Sequence, residues 1–247
     1  MTSRSVVFAE PVRTAIGTFG GSLKDVPAPT LGAVAISGAV ARAGLRQDEV
    51  ETVVMGNVVQ AGEKMNPARQ SGVRAGLPVT TPAMTVNRVC GSGAQAIVSA
   101  AQEILLGNID VAAAGGMENM DQAPYLIGRA RWGYRMGDGQ LYDSMLRDGL
   151  NDAFSDQHSG WHTEDLVEKY QVTREAVLAD AAWADKRGLA PQARLVSYGI
   201  AAVEPGMFGL GPVPAVRQAL ARAGWDVGSV ERRDQRGVRG HRHRRGA

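Results

Sequence analysis

The sequence predicts an α/β protein, a mixed sheet covered by helices, and two observations carry that expectation. Short β-branched runs alternate with Ala-rich stretches of helical spacing along the first half of the chain. Glycine stands at many of the junctions where such stretches stop. At 247 residues, 44% hydrophobic and 21% charged, the chain can close a core without covalent staples, and disorder or a collagen-like repeat is excluded. A single cysteine leaves no internal disulfide and no thiolate metal cluster, so a reducing, cytoplasmic setting is expected. No apolar run approaches the ~20 residues of a membrane span, and Met1 to Val7 lacks the charged-then-apolar order of a signal peptide.

Taken in order, Ser5 to Ala9 reads as a strand. Thr30 to Ala43 reads as a helix capped by Thr30 and ended by Gly44, and Thr52 to Val58 as a second strand. Asn66 to Ala75 has a helix signature, with Asn66 as cap, Pro67 in the first turn and Gly76 as stop. Ala83 to Arg88 is a third strand, Gly93 to Leu106 a helix ended by Gly107, and Asp110 to Ala114 a fourth strand running into Gly115 and Gly116. Open sheets with this βαβ order place their sites at the carboxyl ends of strands, which favours the end of the Ala83 to Arg88 strand. From Met117 to about His162 Gly, Arg, Asp, Met and aromatic residues mix without a period, as in a functional excursion or small subdomain. Thr163 to Tyr170 and Thr173 to Arg187 then read as helices capped by their threonines. Arg194 to Gly199 reads as a strand, and Pro214 to Ala223 as a helix ended by Gly224.

Charge is uneven. Residues 232 to 245 hold seven arginines and one aspartate, whereas the 231 residues before them carry 20 basic and 24 acidic side chains. Such a tail resembles a nucleic-acid contact, but without an aromatic residue for stacking or an apolar period for a helix, a solvated or accidental tail is the expectation.

The sharpest local feature is Asn87-Arg88-Val89-Cys90-Gly91-Ser92-Gly93-Ala94, a strand ending in a thiol that opens a helix through two glycines. A thiol at that place lies at the positive end of the helix dipole, beside unpaired N–H groups that favour a thiolate and can receive an oxyanion. A lone cysteine is also commonly an inert core residue, and position alone leaves both readings open.

This stretch resembles the nucleophilic-cysteine motif of the thiolases, a family of acyltransferases. The opening Glu10-Pro11-Val12-Arg13-Thr14 with Phe19-Gly20-Gly21-Ser22-Leu23 is similar to that family's, as are Gly56-Asn57-Val58 and Asn66-Pro67-Ala68-Arg69-Gln70. Gly115-Gly116-Met117-Glu118-Asn119-Met120 and Gly209-Leu210-Gly211-Pro212-Val213-Pro214-Ala215 extend the likeness. The resemblance implies a thiolase-like layered fold: a first domain over 1–118, a partial loop domain over 119–188, a fragment of a second domain over 189–231, and a basic tail over 232–247. The excursion from Met136 to His158 is similar to the loop domain of the acetyl-CoA-forming branch. There the positions matching Leu150, His158 and Ser159 line the channel for the acyl-pantetheine arm. Phe208 falls where the family places an apolar residue against pantetheine. Many members carry Met in place of Ser159.

The implied reaction is acyl transfer between coenzyme A thioesters, two acetyl-CoA giving acetoacetyl-CoA and free CoA, through an acyl group carried on Cys90. No metal or redox cofactor enters it, the partners implied are acyl-CoA and further copies of the chain as a dimer or tetramer, and neither nucleic acid nor membrane is expected. A degradative 3-ketoacyl-CoA thiolase and a non-catalytic CoA-binding fragment are the alternatives. The family's base His, second Cys and water-positioning Asn come from Gly-His-Pro, Cys-x-Gly-Gly-Gly and Asn-Glu-Ala-Phe motifs, and this sequence contains none of them. Members run to roughly 400 residues. Between Arg187 and Leu189 the text passes from a loop-domain helix to a second-domain strand, omitting the stretch between. The tail has its own explanation: Asp234 to Gly240 can be encoded GAT CAA CGA GGC GTT CGC GGC, and one base later that reads Ile-Asn-Glu-Ala-Phe-Ala. A frameshift near Arg232 or Arg233 is therefore expected.

Overall fold

The computed structural model describes residues 4–171, 197–202 and 212–227, which fall in two units, Met1–Leu150 and Asn151–Ala247. In the first unit β1 (Thr52–Gly56) lies between β2 (Ala83–Val86) and β3 (Ala112–Gly116), all parallel. A strand with neighbours on both edges and helices on both faces is apolar throughout. Successive side chains of β1 point to opposite faces. Val53 and Met55 join Ala33, Ile36 and Val40 of α1 (Ala28–Arg42) and Ala68 of α2 (Pro67–Arg74), while Val54 meets Ala96 and Ala100 of α3 (Ser92–Leu106). The α/β expectation is met, with the core split between the two faces of one central strand.

Two helices follow their sequence signals closely. Asn66 caps α2 by accepting from the Arg69 N–H at 3.1 Å, Pro67 opens it, and Gly76 follows it at φ 92°. The helix α3 stops at Gly107, whose φ of 80° costs a glycine little. The 18 residues Val89–Leu106 are long and apolar enough to cross a membrane by length and composition alone, and within them Ala96 and Ala100 of α3 pack on Val54 of β1.

Other expectations need correction. Ser5 to Ala9 forms no strand: Val7 alone makes a bridge, and Arg4 ties the segment down through the Ile104 and Ile109 carbonyls and the Asp110 carboxylate. A β-branched run has the propensity, but a strand requires a neighbour's donors and acceptors along its length. The first helix starts at Ala28 without a side-chain cap, because Pro29 sets the helical φ of its first turn, which leaves Thr30 inside it. The strand β1 ends at Gly56 rather than Val58, since the Val58 and Val59 N–H groups turn to the Glu118 carboxylate, where the Asn57 Nδ2 joins them. Likewise β2 ends at Val86, where Asn87 starts a turn.

The excursion contains an antiparallel ribbon, β4 (Tyr125–Ile127) with β5 (Leu141–Asp143), followed by a π-helical turn over Met145–Leu150. In the second unit α4 (Ser159–Tyr170) is capped by His158 rather than Thr163, whose hydroxyl bonds back to the Ser159 carbonyl at 3.0 Å. A helix α5 spans Pro212–Ala223. Residues 197–199 are not in a strand; instead Ser197 donates to the Ala219 carbonyl and Arg222 to that of Tyr198. The expected helix Thr173 to Arg187 and the tail lie outside the described residues, as do residues 194–196 of the expected strand Arg194 to Gly199.

Candidate active site

Three glycines bring the end of the sheet against the start of α3. Gly56 and Gly116 pair in register across β1 and β3. A Cβ on Gly56 would fall 2.4 Å from the Ser92 carbonyl carbon and 2.6 Å from the Gly93 nitrogen, and one on Gly116 would lie 3.2 Å from the Gly93 Cα. Only bare backbone permits this approach. The chain therefore has to climb from β2 to α3 in the five residues 87–91.

It does so through a strained turn. Val89 has φ 46°, a left-handed conformation that a β-branched residue seldom adopts. The Asn87 Oδ1 accepts from the Val89 N–H at 2.9 Å, and the Ser92 hydroxyl donates to the Val89 carbonyl at 2.6 Å while accepting from the Arg88 N–H at 2.8 Å. Cys90 follows at once, exposed, one residue before the helix N-cap Gly91. The Gly91 and Ser92 N–H groups are spent on the Arg88 and Val89 carbonyls, and the Gln95 N–H on that of Gly91. Gly93 and Ala94 supply the remaining donors of the first turn. A thiol so placed can attack a carbonyl, and donors of this kind can receive the resulting oxyanion.

A second polar group sits where β1 and β3 end. The Glu118 carboxylate accepts from the Val58 N–H at 2.8 Å, the Val59 N–H at 3.2 Å and the Asn57 Nδ2 at 3.0 Å. Burial raises its pKa above the usual carboxylate range, and these three donors oppose that rise. Glu63 is pushed up to about 7, by burial first and by the charge of Glu118 second. The Asn57 Oδ1 and Glu63 Oε2 are buried without a hydrogen-bond partner among the described residues. Sequence reasoning singled out neither Glu63 nor the strain at Val89. The only signal for Glu118 was the Gly115 to Met120 match at a strand exit.

The predicted substrate residues are distributed unevenly. Leu150 ends the π-helical turn as the last residue of the first unit, half-buried. His158 and Ser159 belong to the second unit, where the His158 Nδ1 accepts from the Gly160 N–H at 2.9 Å and Ser159 opens α4. The structure thus unites Cys90 and Leu150 in one unit, and His158 with Ser159 in the other. Phe208 lies outside the described residues. Met1–Leu150 contains no histidine. His162 bonds the Ser155 hydroxyl at 3.0 Å, and the nearby Asp152 is held below its usual pKa chiefly by hydrogen bonds from Ser155.

Fold and site together define an α/β protein that presents a cysteine at a helix N-terminus, at the carboxyl end of a parallel strand. Residues 6–194 match the family model for the thiolase N-terminal domain, and the chain belongs to the thiolase family of acyltransferase enzymes. It is 35% identical to an acetyl-CoA acetyltransferase of Cupriavidus necator over 303 residues, covering 89% of this chain and 77% of that protein. It is 38% identical to the beta-ketothiolase BktB of the same organism over 313 residues, covering 93% and 79%. A probable acetyl-CoA acyltransferase of Staphylococcus aureus is 49% identical over 170 residues, 69% of this chain and 43% of that one. The first two alignments are longer than the 247 residues of this chain, so those relatives hold residues within the matched span that it lacks.

Proposed function

We propose that Cys90 is the acyl-carrying nucleophile of an acetyl-CoA C-acetyltransferase, and that the 247-residue chain retains this half of the chemistry without the rest. The observation that carries the reading is the strained turn, held by the Asn87 and Ser92 side chains, that delivers an exposed Cys90 to the N-terminus of α3. The thiolate attacks the carbonyl carbon of an acyl-CoA, the C–S bond to coenzyme A breaks, and CoA leaves as its thiolate. Condensation or thiolysis then requires a base for the α-carbon proton and a second oxyanion site. The missing His, Cys and Asn motifs would supply them. Loss of a general base costs typically about 10²–10⁴-fold, and loss of an oxyanion donor about 10²–10³-fold. Leu150, His158, Ser159 and Phe208 are proposed to contact the acyl-pantetheine arm, in a cytoplasmic homo-oligomer whose reaction uses no metal or redox cofactor.

The name of the beta-ketothiolase relative favours a second reading, action on longer 3-ketoacyl-CoA chains. A chain-length series on a protein with the reading frame and the internal segment restored separates the two. The test of the main proposal is acetoacetyl-CoA thiolysis by that restored protein beside the 247-residue chain. The restored protein should turn over and the short chain should not, whereas comparable turnover from both would refute the roles given to the missing residues.

A further inference from the structure

We infer that Asn87 is a positioning residue for the nucleophile: its side chain holds Val89 in the left-handed conformation that aims Cys90 at the start of α3. The inference rests on the reading of Cys90 as nucleophile and adds the means by which the thiol is presented. Val89 is 51% exposed, so packing does not hold its conformation. Hydrogen bonds do. Its carbonyl is fixed by the Ser92 hydroxyl and by the Ser92 N–H at 3.0 Å, but its own N–H depends on the Asn87 Oδ1. Asn87 is itself tied to the next strand's exit, its Nδ2 donating to the Val58 carbonyl at 3.3 Å, and the Val58 N–H is held by Glu118. A bonded path therefore runs from the half-buried Glu118 carboxylate through Val58 and Asn87 to the residue preceding Cys90. An asparagine suits this post because its short amide accepts from the N–H two residues on while donating elsewhere.

The experiment is the rate of Cys90 alkylation by iodoacetamide at neutral pH in the folded 247-residue chain, read by mass spectrometry against N-acetylcysteine. Asn87→Ala should slow it on the order of fivefold, the value of one such hydrogen bond, with the thermal midpoint of the fold within a few degrees of the parent. Asn87→Ser, whose hydroxyl can accept from the same N–H, should restore most of the rate. The double variant Asn87→Ala/Val89→Gly should also restore it, since glycine adopts the left-handed conformation without a clamp. A parent no faster than N-acetylcysteine overturns the claim that this fold alone activates the thiol, and this inference with it. A fast parent matched by an equally fast Asn87→Ala overturns this inference alone, as does a double variant no faster than Asn87→Ala.

Discussion

Val53, Val54 and Met55 of β1 are 1–2% exposed, whereas Val213 and Val216 of α5 remain 44% and 46% exposed in a helix that buries none of its residues. Both segments have the apolar spacing of their element type, and both formed that element. The difference among the described residues is what packs on each: β1 meets two strand neighbours and three helices, whereas α5 meets residues 197–200 through hydrogen bonds and the Arg222 guanidinium over the Tyr198 ring. Periodicity specifies an element, and burial requires a complementary face from distant sequence. Among the described residues, the buried apolar side chains are concentrated in Met1–Leu150.

The largest expected effect sharpens that contrast. Met55→Ala opens a cavity between the sheet and α1 and should destabilise the first unit by about 2–5 kcal/mol, while Val216→Ala on the exposed side of α5 should stay within about 0.5 kcal/mol. Urea titration followed by circular dichroism measures both, and equal effects would erase the distinction between the units. Gly56→Ala comes next. Its new Cβ must displace the backbone at Ser92 and Gly93, at a cost of about 1–3 kcal/mol, and it should slow Cys90 alkylation because the start of α3 shifts.

Smaller, and specific to the first unit, is a pH dependence. The folded-state pKa of Glu63 is about 7 against an ordinary 4.5, and that of Glu118 is raised too. Between these limits the folded chain holds protons that the unfolded chain has released. The stability linked to protonated Glu63 is thus present below about pH 4.5 and lost as pH rises through about 7. Glu63→Gln should flatten the fall of the thermal midpoint over that range, and an unchanged slope would show that Glu63 is not its source.

Locally written signals were legible in the sequence. Asn66-Pro67 and Gly76 bracket α2, Gly107 ends α3, and Cys90 was placed at a helix N-terminus because a strand, two glycines and an Ala-rich run surround it. What escaped depends on residues far apart in the chain. Glu118 meets Val58 across 60 positions, and Glu63 is raised partly by Glu118; no window of sequence holds both. The left-handed Val89 was hidden for a different reason, because valine carries no turn signal and Asn87 and Ser92 impose the conformation on it. The strand expected at Ser5 to Ala9 failed through the converse, a strong local pattern with a single bridge to satisfy it.

The central claim is that Met1–Leu150 presents an activated thiol without help from any histidine. The most direct measurement compares the alkylation rate of Cys90 in the folded chain with that in the same chain unfolded by urea, each referred to N-acetylcysteine in the same solvent. The account predicts a folded-state rate above both the unfolded chain and the standard, because only the fold places the thiol at the start of α3. A folded-state rate equal to or below that of the unfolded chain would contradict it, and would assign the activation of Cys90 to the groups this chain lacks.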